Sequence, residues 1–155
     1  MQKSVQENFI PFDAKDWKLG VVVARFNRHI TDVLYQSALT RAQEYQIQSD
    51  SIRTIKVAGA IEIPLVLAQM ARSGQFNALL ALGCVIKGAT PHFEYVASFV
   101  TDGVLRVQLD NNMPVGFGIL TCDTEAQALE RSELGGDFLD AVLHQTKALM
   151  AFASK

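Results

Sequence analysis

The chain has 155 residues, 49% of them apolar, and its 14 basic and 16 acidic side chains leave a formal net charge of −2. That length suits a single domain with a substantial core, and the scattered, nearly balanced charges argue against a nucleic-acid binder held by phosphate neutralisation. There is no apolar run long enough to cross a bilayer and no signal-peptide pattern at the N-terminus, so a soluble, cytoplasmic protein is expected.

Residues 1–17 read as an extended N-terminal segment. Val5, Phe9, Ile10, Phe12 and Trp17 are apolar, but Pro11 and the polar residues around them prevent a good helix. Such a segment must lie against something, either its own domain or a neighbouring subunit. Residues 18–155 read as one domain. Apolar runs at 19–24, 52–57, 79–86 and 115–120 alternate with helical patterns, which predicts a flavodoxin-like, three-layer α/β/α sandwich around a four-stranded parallel sheet.

The first helix is expected over 31–45, with Leu34, Ala38, Ala42 and Tyr45 on one face. A second begins near Pro64 and stops by Gly74. After the strand at 79–86, Thr90 falls where an N-cap belongs, Pro91 suits the first helical position, and a third helix runs to about Leu109. Thr124 and Gln127 have capping-box spacing for a short fourth helix ending at Arg131, and Gly135-Gly136 separates it from a terminal helix. Cys84 and Cys122 lie near predicted strand ends without C-x-x-C or Cys/His spacing, so packed thiols are expected and not a disulfide or a metal site.

Ligands of an open parallel sheet bind beyond the carboxyl ends of its strands, and the residues there carry chemistry. Between strand and helix, GCVIKGATPH at 83–92 supplies Gly88 and Ala89, whose backbone N–H groups are open to an anion, and His92 in the first helical turn. A histidine at a helix start beside an anion is suited to proton transfer near neutral pH. Plainer readings exist for each: a simple strand-to-helix turn, a surface histidine, a Glu62 carboxylate that only serves the helix dipole, and a Phe26 that anchors its loop in the core.

Four segments occur in order: ARFN at 24–27, GAIEIP at 59–64, GCVIKGATPHFEYV at 83–96 and FGILTCDTEAQALER at 117–131. Together they resemble the lumazine synthase (6,7-dimethyl-8-ribityllumazine synthase) family over about residues 19–131. The resemblance implies condensation of 5-amino-6-(D-ribitylamino)uracil with 3,4-dihydroxy-2-butanone 4-phosphate, with no metal or organic cofactor. It implies that Phe26 stacks on the pyrimidine and that Ala60, Ile61, Glu62, Cys84, Val85 and Ile86 bind it, with Phe117 reaching the site of an adjacent subunit. Gly88, Ala89, Thr90 and Arg131 would hold phosphate, and His92 would transfer protons. The family assembles as homopentamers or shells built from them, with N-terminal segments on neighbours. Two departures stand out. Cys84 occupies a position where many members have threonine, and SELGGDFLDAV follows Arg131 with no lysine before Lys147. There Glu133 and Asp137 would bring negative charge to the anion site if they faced it. The altered stretch keeps open a second expectation, a paralogue that binds a flavin-like or lumazine ligand, or serves in assembly, without condensing anything. It also favours particles no larger than paired pentamers.

Overall fold

Strand β1 (Leu19–Ala24) is buried at every residue, and β3 (Ala78–Ile86) at all but its last. Strands read this way when helices cover both faces of a parallel sheet. In the computed structural model, which describes residues 9–153, they are the two central strands of an all-parallel sheet of order β2-β1-β3-β4. β2 (Ile52–Val57) and β4 (Val115–Cys122) form the edges. All four fall at or within two residues of the expected runs.

Five helices complete the three layers: α1 (Arg28–Glu44), α2 (Ile63–Arg72), α3 (His92–Asn111), α4 (Glu125–Arg131) and α5 (Gly135–Met150). On one face, Leu34, Ala38 and Ala42 of α1 and Leu139 and Leu143 of α5 pack against Val21, Val23, Leu80 and Leu82. On the other, Ile63 and Leu67 of α2 and Val100 and Val104 of α3 pack against Val22, Leu79 and Ala81. Alternate residues of β1 and β3 thus serve opposite cores, which is why neither strand shows the polar alternation of a half-exposed sheet. No helix among the described residues is long and apolar enough to cross a membrane.

Caps and breaks agree in part with expectation. Thr124 Oγ1 accepts from the Gln127 N–H at 3.2 Å and the Gln127 side chain accepts in return from the Thr124 N–H at 3.3 Å, making the expected capping box. Gly74 has φ +72°, the left-handed geometry in which the chain leaves α2. Thr90, by contrast, does not cap α3: Pro91 holds that position, and the Thr90 hydroxyl is 3.5 Å from the His92 nitrogen. Nor does Gly135-Gly136 break the chain. The break is a 3-10 turn at Ser132–Leu134, and the two glycines are the first residues of α5. Gly135 is needed because α1 passes so closely that a Cβ there would lie 1.9 Å from the Leu34 carbonyl oxygen, whereas a Cβ on Gly136 would meet the Arg41 side chain at 3.1 Å. Ser37 stitches the same crossing, donating to the Glu133 carbonyl at 2.6 Å and accepting from the Gly136 N–H at 2.9 Å.

Farther along the crossing, Asp140 of α5 is buried, accepts from the Tyr45 hydroxyl at 2.7 Å and pairs with Arg41. Burial raises its carboxyl above the usual range, against the opposing pull of Tyr45 and Arg41. The described part of the N-terminal segment lies on this region of its own chain: Phe12 meets Tyr45 edge-on at 5.1 Å between ring centroids, and Phe9 meets His144 at 4.6 Å. Ile10 is 80% exposed, and Val5 is outside the described residues.

The α1–α5 approach predicts a contrast between two glycines. Gly135→Ala should destabilise by at least about 3 kcal/mol, because backbone has to move. Gly74→Ala meets open space and should cost only about 1 kcal/mol for its left-handed φ. Urea denaturation of both variants checks the order; equal losses would contradict it.

Candidate active site

At the carboxyl end of the sheet, three chain segments converge. β1 leaves the sheet with its N–H groups still bonded to the exit of β2: Arg25 donates to the Val57 carbonyl at 2.8 Å and Phe26 to the Ala58 carbonyl at 3.0 Å. The Phe26 ring is nevertheless 71% exposed, so it is not a core anchor. After β2, residues 59–62 form a tight turn in which Glu62 Oε2 accepts from the Gly59 N–H at 3.0 Å. One carboxylate oxygen therefore does the local capping job, and the other makes no hydrogen bond among the described residues. Beyond β3, Gly88 lies in open space, which leaves the neighbouring backbone accessible from solvent.

These segments enclose a cavity of about 410 Å³, within the range of small-molecule sites. Phe26, Ala60, Ile61 and Glu62 form one wall, and Cys84, Val85 and Ile86 another. Gly88, Thr90 and His92 stand at one end, with Phe93 and Val96 of α3 beneath them. The lining is mostly apolar, with a carboxylate, an imidazole and a hydroxyl as polar points. A hollow of similar size, about 430 Å³, between β2 and α2 is lined by Arg53, Leu65, Met70 and Phe76 among others, but by no histidine, carboxylate or thiol. Of these two, the first cavity is the better equipped for chemistry.

Three residues singled out from the sequence do not line it. Ala89 sits in the loop but outside the lining. Arg131 is about half exposed, donates to its own helix at the Gln127 carbonyl (2.9 Å) and lies 3.8 Å from Glu130. Phe117 is in edge strand β4, paired in register with Ala81, and is 39% exposed. In the opposite direction, Phe93, Val96 and Asn27 belong to the site's construction and were not foreseen. Val96 follows His92 by four residues and follows Phe93 by three, so Val96 could have been found by helical spacing and Phe93 from it. Asn27 donates its side-chain amide to the Cys84 carbonyl at 2.9 Å, a contact no local pattern announces.

Neither Glu133 nor Asp137, the acidic residues after Arg131, lines the cavity. Asp137 is turned towards α1, with Oδ1 3.6 Å from Arg41 Nη1. The other histidines have separate surroundings: His29 Nε2 lies 2.5 Å from Glu125 Oε1, and His144 packs among Phe9, Phe12 and Tyr45. Both cysteines are buried free thiols. Burial, with the nearby Cys122 and Glu125, pushes the Cys84 thiol up to about 12. Burial also raises Cys122, and Arg131 partly offsets it. The Cys84 thiol is therefore neutral, and it packs in the core beneath α1 and α5, on the other side of the sheet from Val85.

Comparison with known proteins agrees with the geometry. A family profile described as 6,7-dimethyl-8-ribityllumazine synthase matches residues 16–150. The 6,7-dimethyl-8-ribityllumazine synthase of Protochlamydia amoebophila (strain UWE25) is 49% identical over 115 residues, covering 74% of this chain and 67% of the relative. The protein of the same name from Desulfovibrio desulfuricans is 43% identical over 120 residues, 77% of each chain. That of Nitratidesulfovibrio vulgaris is 40% identical over 121 residues, 78% of each.

With its thiol raised to about 12, Cys84 should be ionised at pH 8 in roughly one molecule in ten thousand, far less than an ordinary cysteine. Iodoacetamide at that pH should leave Cys84 unmodified in the folded protein over a time in which it labels the urea-unfolded chain completely. Mass spectrometry of the digested protein reads this; equal labelling in both states would contradict the buried, neutral thiol.

Proposed function

The chain belongs to the 6,7-dimethyl-8-ribityllumazine synthase family, and we propose that its strand-end cavity carries out the corresponding condensation. The reaction joins 5-amino-6-(D-ribitylamino)uracil to 3,4-dihydroxy-2-butanone 4-phosphate, yielding 6,7-dimethyl-8-ribityllumazine and inorganic phosphate. The pyrimidine 5-amine forms an imine with the ketone and water leaves. Phosphate is then eliminated, and attack of the ribityl-bearing nitrogen closes the ring with loss of a second water. Both substrates are intrinsically reactive, so the protein's contribution is mainly positioning and proton transfer. The proposed reaction belongs in the cytoplasm, where a phosphorylated substrate is retained.

The observation that carries this reading is the exposed Phe26 ring facing a cavity closed by the backbone of 84–86, with His92 at one end. A flat heterocycle fits between an aromatic face and strand backbone, which offers peptide donors and acceptors to its ring amides. The free Glu62 oxygen is suited to accept from ribityl hydroxyls. Gly88, Ala89 and Thr90 present a loop to the phosphate, and His92, the first residue of α3, takes and returns the protons that the condensation moves.

The cavity of one chain contains no arginine or lysine to neutralise phosphate. Arg131 and Phe117 lie outside it, exposed enough to serve another copy. We therefore take the working site to be shared, with both residues supplied by the neighbour in a ring, most simply a homopentamer. Mixing the protein with both substrates while following lumazine absorbance and phosphate release tests the reading. Simultaneous appearance of the two products is expected, and ligand binding without either product would favour a non-condensing binder.

Two substitutions separate the roles. His92→Ala should slow turnover by about 10- to 1,000-fold with pyrimidine affinity little changed, as expected for a lost acid-base group. Arg131→Ala should chiefly raise the KM for the butanone phosphate. Steady-state kinetics with each substrate varied in turn would reveal the split. Undiminished turnover in the first variant, or a loss confined to the pyrimidine in the second, would contradict these assignments.

A further inference from the structure

The geometry assigns Asn27 a positioning role: by holding the Cys84 carbonyl, its amide fixes the separation between the Phe26 ring and the backbone of 84–86, and so the slot in which the pyrimidine lies. This rests on the reading of the site given above.

The ladder between β1 and β3 ends at Val23 and Leu82, whereas β3 continues beside β4 alone as far as Ile86 and Cys122. The overhang forms a wall of the cavity. A partly buried carbonyl there has lost its β1 neighbour and needs another donor. Asn27 Nδ2 provides it for Cys84 at 2.9 Å.

Asn27 is unusual for its place in the fold. It is the N-cap of α1, where an asparagine oxygen ordinarily accepts from the first-turn N–H groups, yet its side chain makes no cap bond. Only its backbone carbonyl receives the Ile30 and Thr31 N–H groups, at 2.9 and 3.0 Å. The side chain has been diverted from helix stability to the wall of the cavity. Its backbone is left-handed, φ 59° and ψ 46°, a conformation asparagine tolerates better than most residues. Phe26 precedes this turn and is bonded on its other side to Ala58. Its ring is consequently suspended between the exit of β2 and the end of β3.

A residue that merely stabilised α1 would affect both substrates alike. Two variants distinguish the cases. Asn27→Gly keeps access to the left-handed turn and removes the amide. Asn27→Asp places a carboxylate against the Cys84 carbonyl while remaining a good N-cap at the positive end of the helix dipole, so it should be no less stable than the parent protein. Calorimetric titration with 6-(D-ribitylamino)uracil, which lacks the condensing 5-amine, should show affinity reduced about 5- to 30-fold in both variants, the scale of one lost hydrogen bond. The KM for the butanone phosphate should stay within about twofold, as its binding groups do not touch Asn27. Unchanged pyrimidine affinity in both variants, or equal losses for both substrates with lowered stability, would overturn the inference. If the parent protein neither binds the pyrimidine nor forms lumazine, the functional reading fails by itself. Amide exchange at 84–88 then decides the role of Asn27: faster exchange in both variants supports the clamp, and unchanged exchange refutes it.

Discussion

Coverage of the sheet on both faces is the constraint from which the rest follows. Val21 and Val23 face one core while Val22 faces the other, and β3 alternates in the same way. A small ligand has no room on either face, and the backbone opens only where strands run past their neighbours. β3 does this at its carboxyl end, continuing after β1 has turned away at Arg25. The overhang provides a strand edge that β1 no longer covers, the turn of β1 provides Phe26, and the turn after β2 provides Glu62. Packing that excludes a ligand elsewhere thereby creates its place here.

The same geometry leaves the site unfinished. Its walls suit a planar heterocycle, and its loop at Gly88–Thr90 suits an anion, but no cation lines the cavity. A phosphate held only by backbone N–H groups and an imidazole would lack the charge-assisted bonds that usually secure it. Arg131 closes α4 with its guanidinium bonded to its own helix, and Phe117 stands partly exposed on the edge strand. In the proposed shared site, both would serve a second copy of the chain. The stretch after Arg131, which lacks the expected lysine, does not replace that charge, and it does not oppose it through Asp137, whose carboxylate faces Arg41.

Much of this was legible in the sequence because it is encoded locally. Continuous apolar runs at 19–24 and 79–86 identified buried parallel strands, and Thr124 with Gln127 marked a helix start by spacing alone. The resemblance carried by four segments named ten residues that do line the cavity, from Phe26 to His92. What was misread depends on contacts distant in sequence. Gly135-Gly136 has the composition of a break, yet its glycines answer the Leu34 backbone and the Arg41 side chain of another helix. Thr90 resembles an N-cap, but Pro91 takes the position, and the hydroxyl stays at the cavity. Asn27 entered only as the end of the ARFN segment, and its side-chain partner is the carbonyl of Cys84, 57 positions away. Val96 was within reach of helical periodicity counted from His92, and Phe93 of the same periodicity counted back from Val96.

Subunit complementation tests the shared site most directly. His92→Ala chains retain Arg131, and Arg131→Ala chains retain His92, so each homogeneous assembly has only defective sites. Unfolding the two together in equal amounts and refolding them should generate rings in which about one site in four combines both intact residues across an interface. Lumazine formation should then recover to about a quarter of the parent protein's rate, well above either variant alone. Had both residues belonged to a site within one chain, no mixture could unite them. Activity no greater than the average of the separate variants, from rings verified to contain both chains, would contradict the account.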